Sequence, residues 1–85
     1  MIIFPSEGQV NLNSACGKFI CDLIKNNEIY SVLETGTWNG CGTTRIVYEA
    51  LKEKKNKSFI SFETNKDFFH KAFALYKKID WIFKF

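Results

Sequence analysis

The sequence predicts a small α/β fold built on a partial parallel sheet. Three observations predict it: helical and strand-like segments alternate along the chain, the strand-like segments are short and apolar, and a glycine-rich loop joins the first of them to a helix. Crossovers between parallel strands are right-handed, so such segments form βαβ units. We therefore expect three parallel strands joined by helices.

Length and composition indicate one folded unit. The 85 residues are 46% hydrophobic and 25% charged, which excludes a disordered, collagen-like or transmembrane chain. A net charge of +3 is too small to indicate a nucleic-acid partner. We interpret residues 1–85 as a single truncated domain, with an irregular arm over residues 1–12 and the folded elements over residues 13–85.

The first helix is predicted over residues 13–25. Its apolar residues follow the spacing of a half-buried helix: Cys16, Phe19, Ile20, Leu23 and Ile24. Asn13 or Ser14 can cap the start, and the Asn26-Asn27 pair marks the end. Gly17 lowers the helix propensity within this segment.

A strand, a loop, a helix and a second strand follow. Residues 29–34 are apolar and β-branched, which is typical of a strand that is buried on both faces. Residues 35–44, T-G-T-W-N-G-C-G-T-T, form a glycine-rich loop, and Thr43 or Thr44 can cap the helix after it. Residues 58–63, S-F-I-S-F-E, predict the second strand.

A third helix and a third strand complete the pattern. Residues 65–78 carry a wide apolar side of phenylalanine, alanine, leucine and tyrosine, which predicts a helix. In the last six residues, Trp81, Phe83 and Phe85 alternate with Asp80, Ile82 and Lys84. The alternation predicts a strand whose second face is wetter than its aromatic face.

Cysteine usage and the N-terminal residues bear on location. Cys16, Cys21 and Cys41 are odd in number and lack metal-ligand spacing, so we expect free thiols and no metal site. His70 lies on a predicted helix away from the strand ends, and we assign it no catalytic role. The apolar start stops at Pro5 without a basic leader. We expect a cytoplasmic location and no membrane association.

The glycine loop lies between two strand-terminal acids. Glu34 closes the first strand, Gly36, Gly40 and Gly42 follow, and Glu63 closes the second strand. Glycines allow a ligand to approach the backbone, and the start of the next helix favours an anionic group. A carboxylate at the neighbouring strand end can bind a ribose diol. The pattern predicts a nucleoside-containing cofactor, although a tight strand-to-helix turn would also use such a loop.

The same residues resemble a known family. V-L-E-T-G-T-W-N-G-C-G-T-T, residues 32–44, resembles motif I of class I S-adenosylmethionine-dependent methyltransferases, and I-S-F-E, residues 60–63, resembles their second motif. The helix over residues 13–25 resembles the extra helix that these enzymes carry before their first strand. The resemblance implies a Rossmann-like three-layer sandwich, with three parallel strands in the order 3-2-1 and helices on both faces of the sheet. It also implies that the fold binds S-adenosylmethionine through five residues: Glu34, Gly36, Thr37, Gly40 and Glu63.

The resemblance also implies roles for these residues. Gly36 and Gly40 would line the methionine and ribose portion of the cofactor, Glu34 would lie near the methionine ammonium, and Glu63 would hold the ribose. The family's later strands and substrate-binding elements have no counterpart here, so the catalytic residues, the methyl acceptor and activity of this chain alone stay open. An apolar first strand at an open edge predicts a second polypeptide or self-association that covers it.

Two alternatives remain from the sequence. Thr35-Gly36-x-x-x-Gly40-x-Gly42 also fits the T-G-x-x-x-G-x-G loop of short-chain dehydrogenases, in which Glu63 would bind the adenosine ribose of NAD(P). Glu34, ahead of a loop that would carry a pyrophosphate, and the helix before the first strand argue against it. The other alternative is a non-catalytic remnant or partner-dependent module.

Overall fold

The computed structural model describes residues 8–85 and shows three helices that alternate with three strands. The elements are α1 (Ala15–Lys25), β1 (Ser31–Thr35), α2 (Thr43–Leu51), β2 (Ser58–Phe62), α3 (Lys66–Tyr76) and β3 (Ile82–Lys84). The predicted α/β class is confirmed. The predicted arm over residues 1–12 lies partly outside the described residues; its residues 8–12 form bends and turns ahead of α1.

The sheet is parallel, with the strand order β1-β2-β3, which is the predicted order read from the other edge. The register places Glu34 opposite Ser61 and Ser61 opposite Lys84. Backbone hydrogen bonds extend the ladder beyond the strand ends, from Glu63 N–H to the Phe85 carbonyl at 3.0 Å. The row formed by Glu34, Ser61 and Lys84 therefore crosses all three strands near their carboxyl ends.

Only one face of this sheet is covered by helices within residues 8–85. Side chains on the covered face, such as Phe59 and Ser61, are fully buried, whereas Leu33 and Phe83 on the opposite face are 67% and 49% exposed. Strands that follow one another in sequence order through right-handed crossovers place their helices on the same face. Helices α2 and α3 obey this rule, and α1 packs on α2. The expected helices on the second face, and the expected burial of β1 on both faces, are therefore not found here.

Helix α1 begins one residue after its cap and is rotated from the predicted orientation. The Ser14 hydroxyl accepts the Gly17 N–H at 3.0 Å, which confirms Ser14 as the N-cap. Gly17 and Ile24 are the buried residues of the helix, while Phe19 is 66% exposed. A side chain at Gly17 would overlap the Asn11 carbonyl group, so this glycine allows the preceding turn to pack on the helix.

Strand β3 turns its side chains the opposite way from the prediction. Ile82 is buried on the helix-covered face and Lys84 lies on the same side, whereas Phe83 and Phe85 are exposed. The predicted alternation started at Trp81, but this residue lies in the turn before the strand and stacks on Tyr48 of α2, with ring centroids 5.8 Å apart. The register pairs Ile82 with Phe59 and Lys84 with Ser61, and this places Ile82 and Lys84 on the helix-covered face.

The buried core joins all three helices to β2 and β3. Its fully packed members are Ile24, Val47, Ala50, Leu51, Phe59, Tyr76 and Ile82. At the amino end of the sheet, the Lys54 ammonium donates to the backbone carbonyls of Asn27 and Ile29, both at 2.8 Å, and to that of Ile24. The ammonium therefore satisfies carbonyls at and just after the end of α1.

Candidate functional site

The loop between β1 and α2 is bonded to the carboxyl end of β2. The backbone N–H groups of Gly36 and Thr37 both donate to the Phe62 carbonyl, at 2.8 Å and 3.0 Å. Gly36 has a φ of 86°, which L side chains rarely adopt, and a Cβ placed there would meet no atom of residues 8–85 within 4 Å. The loop therefore starts with a backbone segment that the other described residues leave exposed.

Gly40, at the other end of the loop, faces inward instead. A Cβ at Gly40 would lie 2.9 Å from the Tyr76 ring and 3.2 Å from the Ala72 Cβ. The Tyr76 hydroxyl donates to the Gly40 carbonyl at 2.6 Å, and burial raises the pKa of this phenol. Gly40 thus lets the loop pack closely on α3, and the structure does not place it against open space.

Glu34 lies beneath the loop, on the helix-covered face of β1. It is 9% exposed, and its Oε1 accepts hydrogen bonds from the Ser61 hydroxyl at 2.7 Å and from the Thr44 hydroxyl. Burial raises the pKa of this carboxyl, against the opposing effect of both hydroxyls. The Thr44 hydroxyl is therefore bonded to Glu34 and does not cap α2. The N-cap of α2 is Gly42, which makes no side-chain hydrogen bond.

Thr37 belongs to the same buried cluster. It is 4% exposed, and its hydroxyl shares a hydrogen bond with the Ser61 hydroxyl. Its carbonyl accepts from the Gly40 N–H at 3.1 Å and from the Thr44 hydroxyl at 3.3 Å. Thr37 holds the loop from the inside, with its side chain turned away from the open edge of the sheet.

Sequence reasoning missed two members of this cluster, Ser61 and Lys84. The Lys84 ammonium is buried, has no hydrogen-bond partner among the described residues, and lies 4.7 Å from the centre of the Tyr76 ring. Burial lowers its pKa to about 8, against the attraction of the Glu34 carboxylate. The signal available in the sequence was a polar residue at alternate positions of two apolar strands, which the register aligns with Glu34.

Glu63 follows β2 and joins the loop to the start of α3. Its Oε1 accepts the Trp38 N–H at 2.6 Å and its Oε2 accepts the Asn65 N–H at 3.0 Å. Backbone donation from Asn65 and Trp38 lowers the pKa of this carboxyl. Glu63 is therefore a charged group fixed next to the first half of the glycine loop.

The five predicted site residues divide into two groups. Gly36 and Glu63 lie at the carboxyl edge of the sheet and are joined through the loop. The other three are buried: Glu34 lies beneath the loop, and Thr37 and Gly40 are loop residues that face inward and hold its shape. The edge pair offers an approachable backbone and a carboxylate, which suit a ligand that carries hydroxyl donors.

No other feature of residues 8–85 contributes to the candidate site at the carboxyl edge. Within residues 8–85, no three His, Cys, Asp or Glu side chains are grouped to hold a metal ion, and the three cysteines are free thiols. None of the helices there combines the length and the apolar character needed to cross a membrane. A surface cleft of about 780 Å³ lies at the opposite end of the sheet, lined by residues 25–28, Tyr30 and residues 54–56.

Protein-family models and curated proteins were the two sets compared with the chain. No protein-family model matches the chain. No curated protein matches it either.

Proposed function

We propose that the chain binds S-adenosylmethionine at the carboxyl edge of its sheet, as the cofactor-binding half of a class I methyltransferase. The observation that carries the proposal is the pairing of Gly36, which the other described residues leave exposed, with the fixed carboxylate of Glu63. In open α/β sheets, ligands bind outside the carboxyl ends of the strands. The motif resemblance supplies the identity of the cofactor.

The state of the Glu63 carboxylate supports a ribose-binding role. Each of its two oxygens accepts one backbone N–H, from Trp38 or Asn65, and an ionised carboxylate has about four acceptor positions. About two positions remain, which is the number that a ribose diol needs. The two N–H groups also fix the orientation of the carboxylate before any ligand arrives, which reduces the entropy cost of binding.

The chemistry of such a site rests on alignment. When bound, S-adenosylmethionine would supply a sulfonium-activated methyl group for in-line transfer to an acceptor nucleophile, with the thioether S-adenosylhomocysteine as the leaving group, so the protein would contribute mainly positioning. In this chain the positioning groups are Gly36 and Glu63, supported by Glu34 and Thr37 from below. The free thiols of the chain are consistent with a cytoplasmic location, which we propose together with the function. The acceptor is left unassigned.

One observation favours the dehydrogenase-like alternative. The carboxylate of Glu34 is buried and bonded to Ser61 and Thr44, so it does not repel a phosphate on the open side of the loop. Tyr48 and Lys52 match the Tyr-x-x-x-Lys spacing of those enzymes. However, the Tyr48 ring stacks on Trp81 and the Lys52 ammonium pairs with Glu49 at 2.8 Å, so neither residue is at the candidate site.

Calorimetric titration tests the proposal. The chain is titrated with S-adenosylhomocysteine and, separately, with NAD. We expect heat with the first ligand only, and loss of most of the affinity in Glu63→Ala. Glu53→Ala, which removes an exposed acid far from the edge, serves as the matched control and should bind normally. Binding of NAD alone would favour the alternative, and absence of heat with both ligands in a folded sample would contradict cofactor binding.

A further inference from the structure

The face of the sheet opposite the helices forms one continuous neutral surface. We call it the open face and define it by the residues that alternate onto it: Ser31, Leu33, Thr35, Ser58, Ile60, Phe62, Phe83 and Phe85. Leu33, Ile60 and Phe83 form one row across the strands. The rings of Phe62 and Phe85 stack beside it, with centroids 5.6 Å apart. No charged residue belongs to the open face.

The exposed area is large for a chain of this size. Phe62, Phe83 and Phe85 are 41%, 49% and 62% exposed, and Leu33 is 67% exposed. With about 200 Å² for a whole phenylalanine side chain, these residues present roughly 400 Å² of apolar surface. Contiguous apolar patches above a few hundred Å² mark interaction sites on soluble proteins. A patch of this size is often functional, and the open face therefore offers a surface on which a partner can pack.

The geometry points to a second copy of this chain as that partner, through face-to-face packing of the two open faces. Two such patches, with the serine and threonine groups around them, bury about 1,000 Å², which reaches the lower bound of a specific interface. Each chain carries a net charge of +3, but none of it lies on the open face, so the interface brings no like charges into contact. This inference does not rest on cofactor binding.

Sheet packing suggests how the copies are arranged. Two packed sheets keep their strand directions within about 30° of each other and lie about 10 Å apart. A two-fold axis that runs along β2 would place β1 of one copy over β3 of the other. Leu33 of one copy then faces Phe83 of the other twice, as a symmetric dimer interface requires. This arrangement places the Phe85 ring of one copy over the small Thr35 side chain of the other.

Sedimentation equilibrium of the full chain tests the inference. We expect a concentration-dependent shift from 9.9 kDa to twice that mass. Phe83→Lys and Leu33→Lys should each abolish the shift, because each would bury a charge in the interface. Phe19→Lys, an equally drastic change at an exposed apolar residue of α1, should leave the dimer intact. Circular dichroism verifies that each variant is folded, and the milder Phe83→Ser replaces Phe83→Lys if the latter unfolds.

Three outcomes would overturn the inference. A chain that stays at 9.9 kDa at all concentrations does not self-associate, and a different protein would have to cover its open face. A dimer that survives both lysine variants on the open face uses another surface. A dimer that survives Phe83→Lys but not Leu33→Lys would indicate pairing along the free edge of β1, since Phe83 lies on the far strand of the sheet.

Discussion

Lys84 directs an ammonium group into the helix-covered side of the sheet, where no hydrogen-bond partner among the described residues receives it. Its pKa falls from the usual 10.5 to about 8, because burial disfavours the charged form more than Glu34 favours it. A shift of this size corresponds to about 3 kcal/mol at 1.36 kcal/mol per unit. Since part of the side chain remains in contact with water, we expect Lys84→Met to stabilise the fold by about 1–3 kcal/mol at pH 7.

The pH dependence gives the sign of this effect. Between the native pKa of about 8 and the unfolded value of 10.5, the unfolded chain binds more protons at Lys84 than the native chain does. The wild-type stability therefore rises with pH across this window, and the cost of the buried charge is fully present below it. The Lys84→Met variant lacks this rise, so the difference between the two proteins should shrink toward zero near pH 10.5.

Urea denaturation followed by circular dichroism at pH 7 and pH 9.5 measures the difference. Lys55→Met, which removes an exposed lysine, is the matched control, and other titrating groups affect all three proteins alike. A lower stability of Lys84→Met than of wild type at pH 7 would contradict this prediction, because it would show that the attraction between Lys84 and Glu34 outweighs the cost of burial. An equal difference at both pH values would refute it as well.

Three further predictions concern the loop and its support. Gly36→Ala and Gly40→Ala introduce the same strain at a positive φ, about 1–2 kcal/mol, but only Gly40→Ala adds an overlap with α3. Urea denaturation should therefore show a clearly larger loss of unfolding free energy for Gly40→Ala than for Gly36→Ala. The raised pKa of Glu34 means that the wild-type free energy of unfolding falls as the pH rises above 4.5, because the native state holds this proton more tightly than the unfolded state does. Glu34→Gln lacks this fall and should gain stability relative to wild type over the same range; equal pH profiles would contradict this. Ser14→Ala should cost about 1 kcal/mol through the lost cap of α1, measured by thermal unfolding with Asn13→Ala as control; equal losses in the two variants would exclude Ser14 as the cap.

The order of elements could be read from the sequence because it depends on local patterns. Alternating apolar periods predicted six elements and a parallel sheet, and the family resemblance supplied the strand order that the sheet has. Ser14 was among the predicted caps, and its hydroxyl bond depends only on its neighbours. A cap at Thr43 or Thr44 failed although it too is a local feature, because the Thr44 hydroxyl is bonded to Glu34 on β1.

The details that failed depend on register between distant strands. Glu34 and Glu63 both looked like strand-terminal acids, but the register pairs Glu34 with Ser61 and leaves Glu63 beyond the end of β2. One acid is therefore buried and the other lies at the edge. The sides of β3 were reversed for a similar reason, since the register pairs Ile82 with Phe59 and so puts Ile82, not Phe83, on the covered face.

The prediction that a cofactor binds at Gly36 and Glu63 is tested most directly by residue-resolved amide chemical shifts during titration with S-adenosylhomocysteine. We expect the largest amide shifts on residues 36–38 and 63–65, at the carboxyl edge of the sheet. The amides of residues 25–28 and 54–56, which line the cleft at the opposite end, should stay unchanged. Shifts confined to that cleft, or no shifts at any amide of the folded chain, would contradict cofactor binding at Gly36 and Glu63.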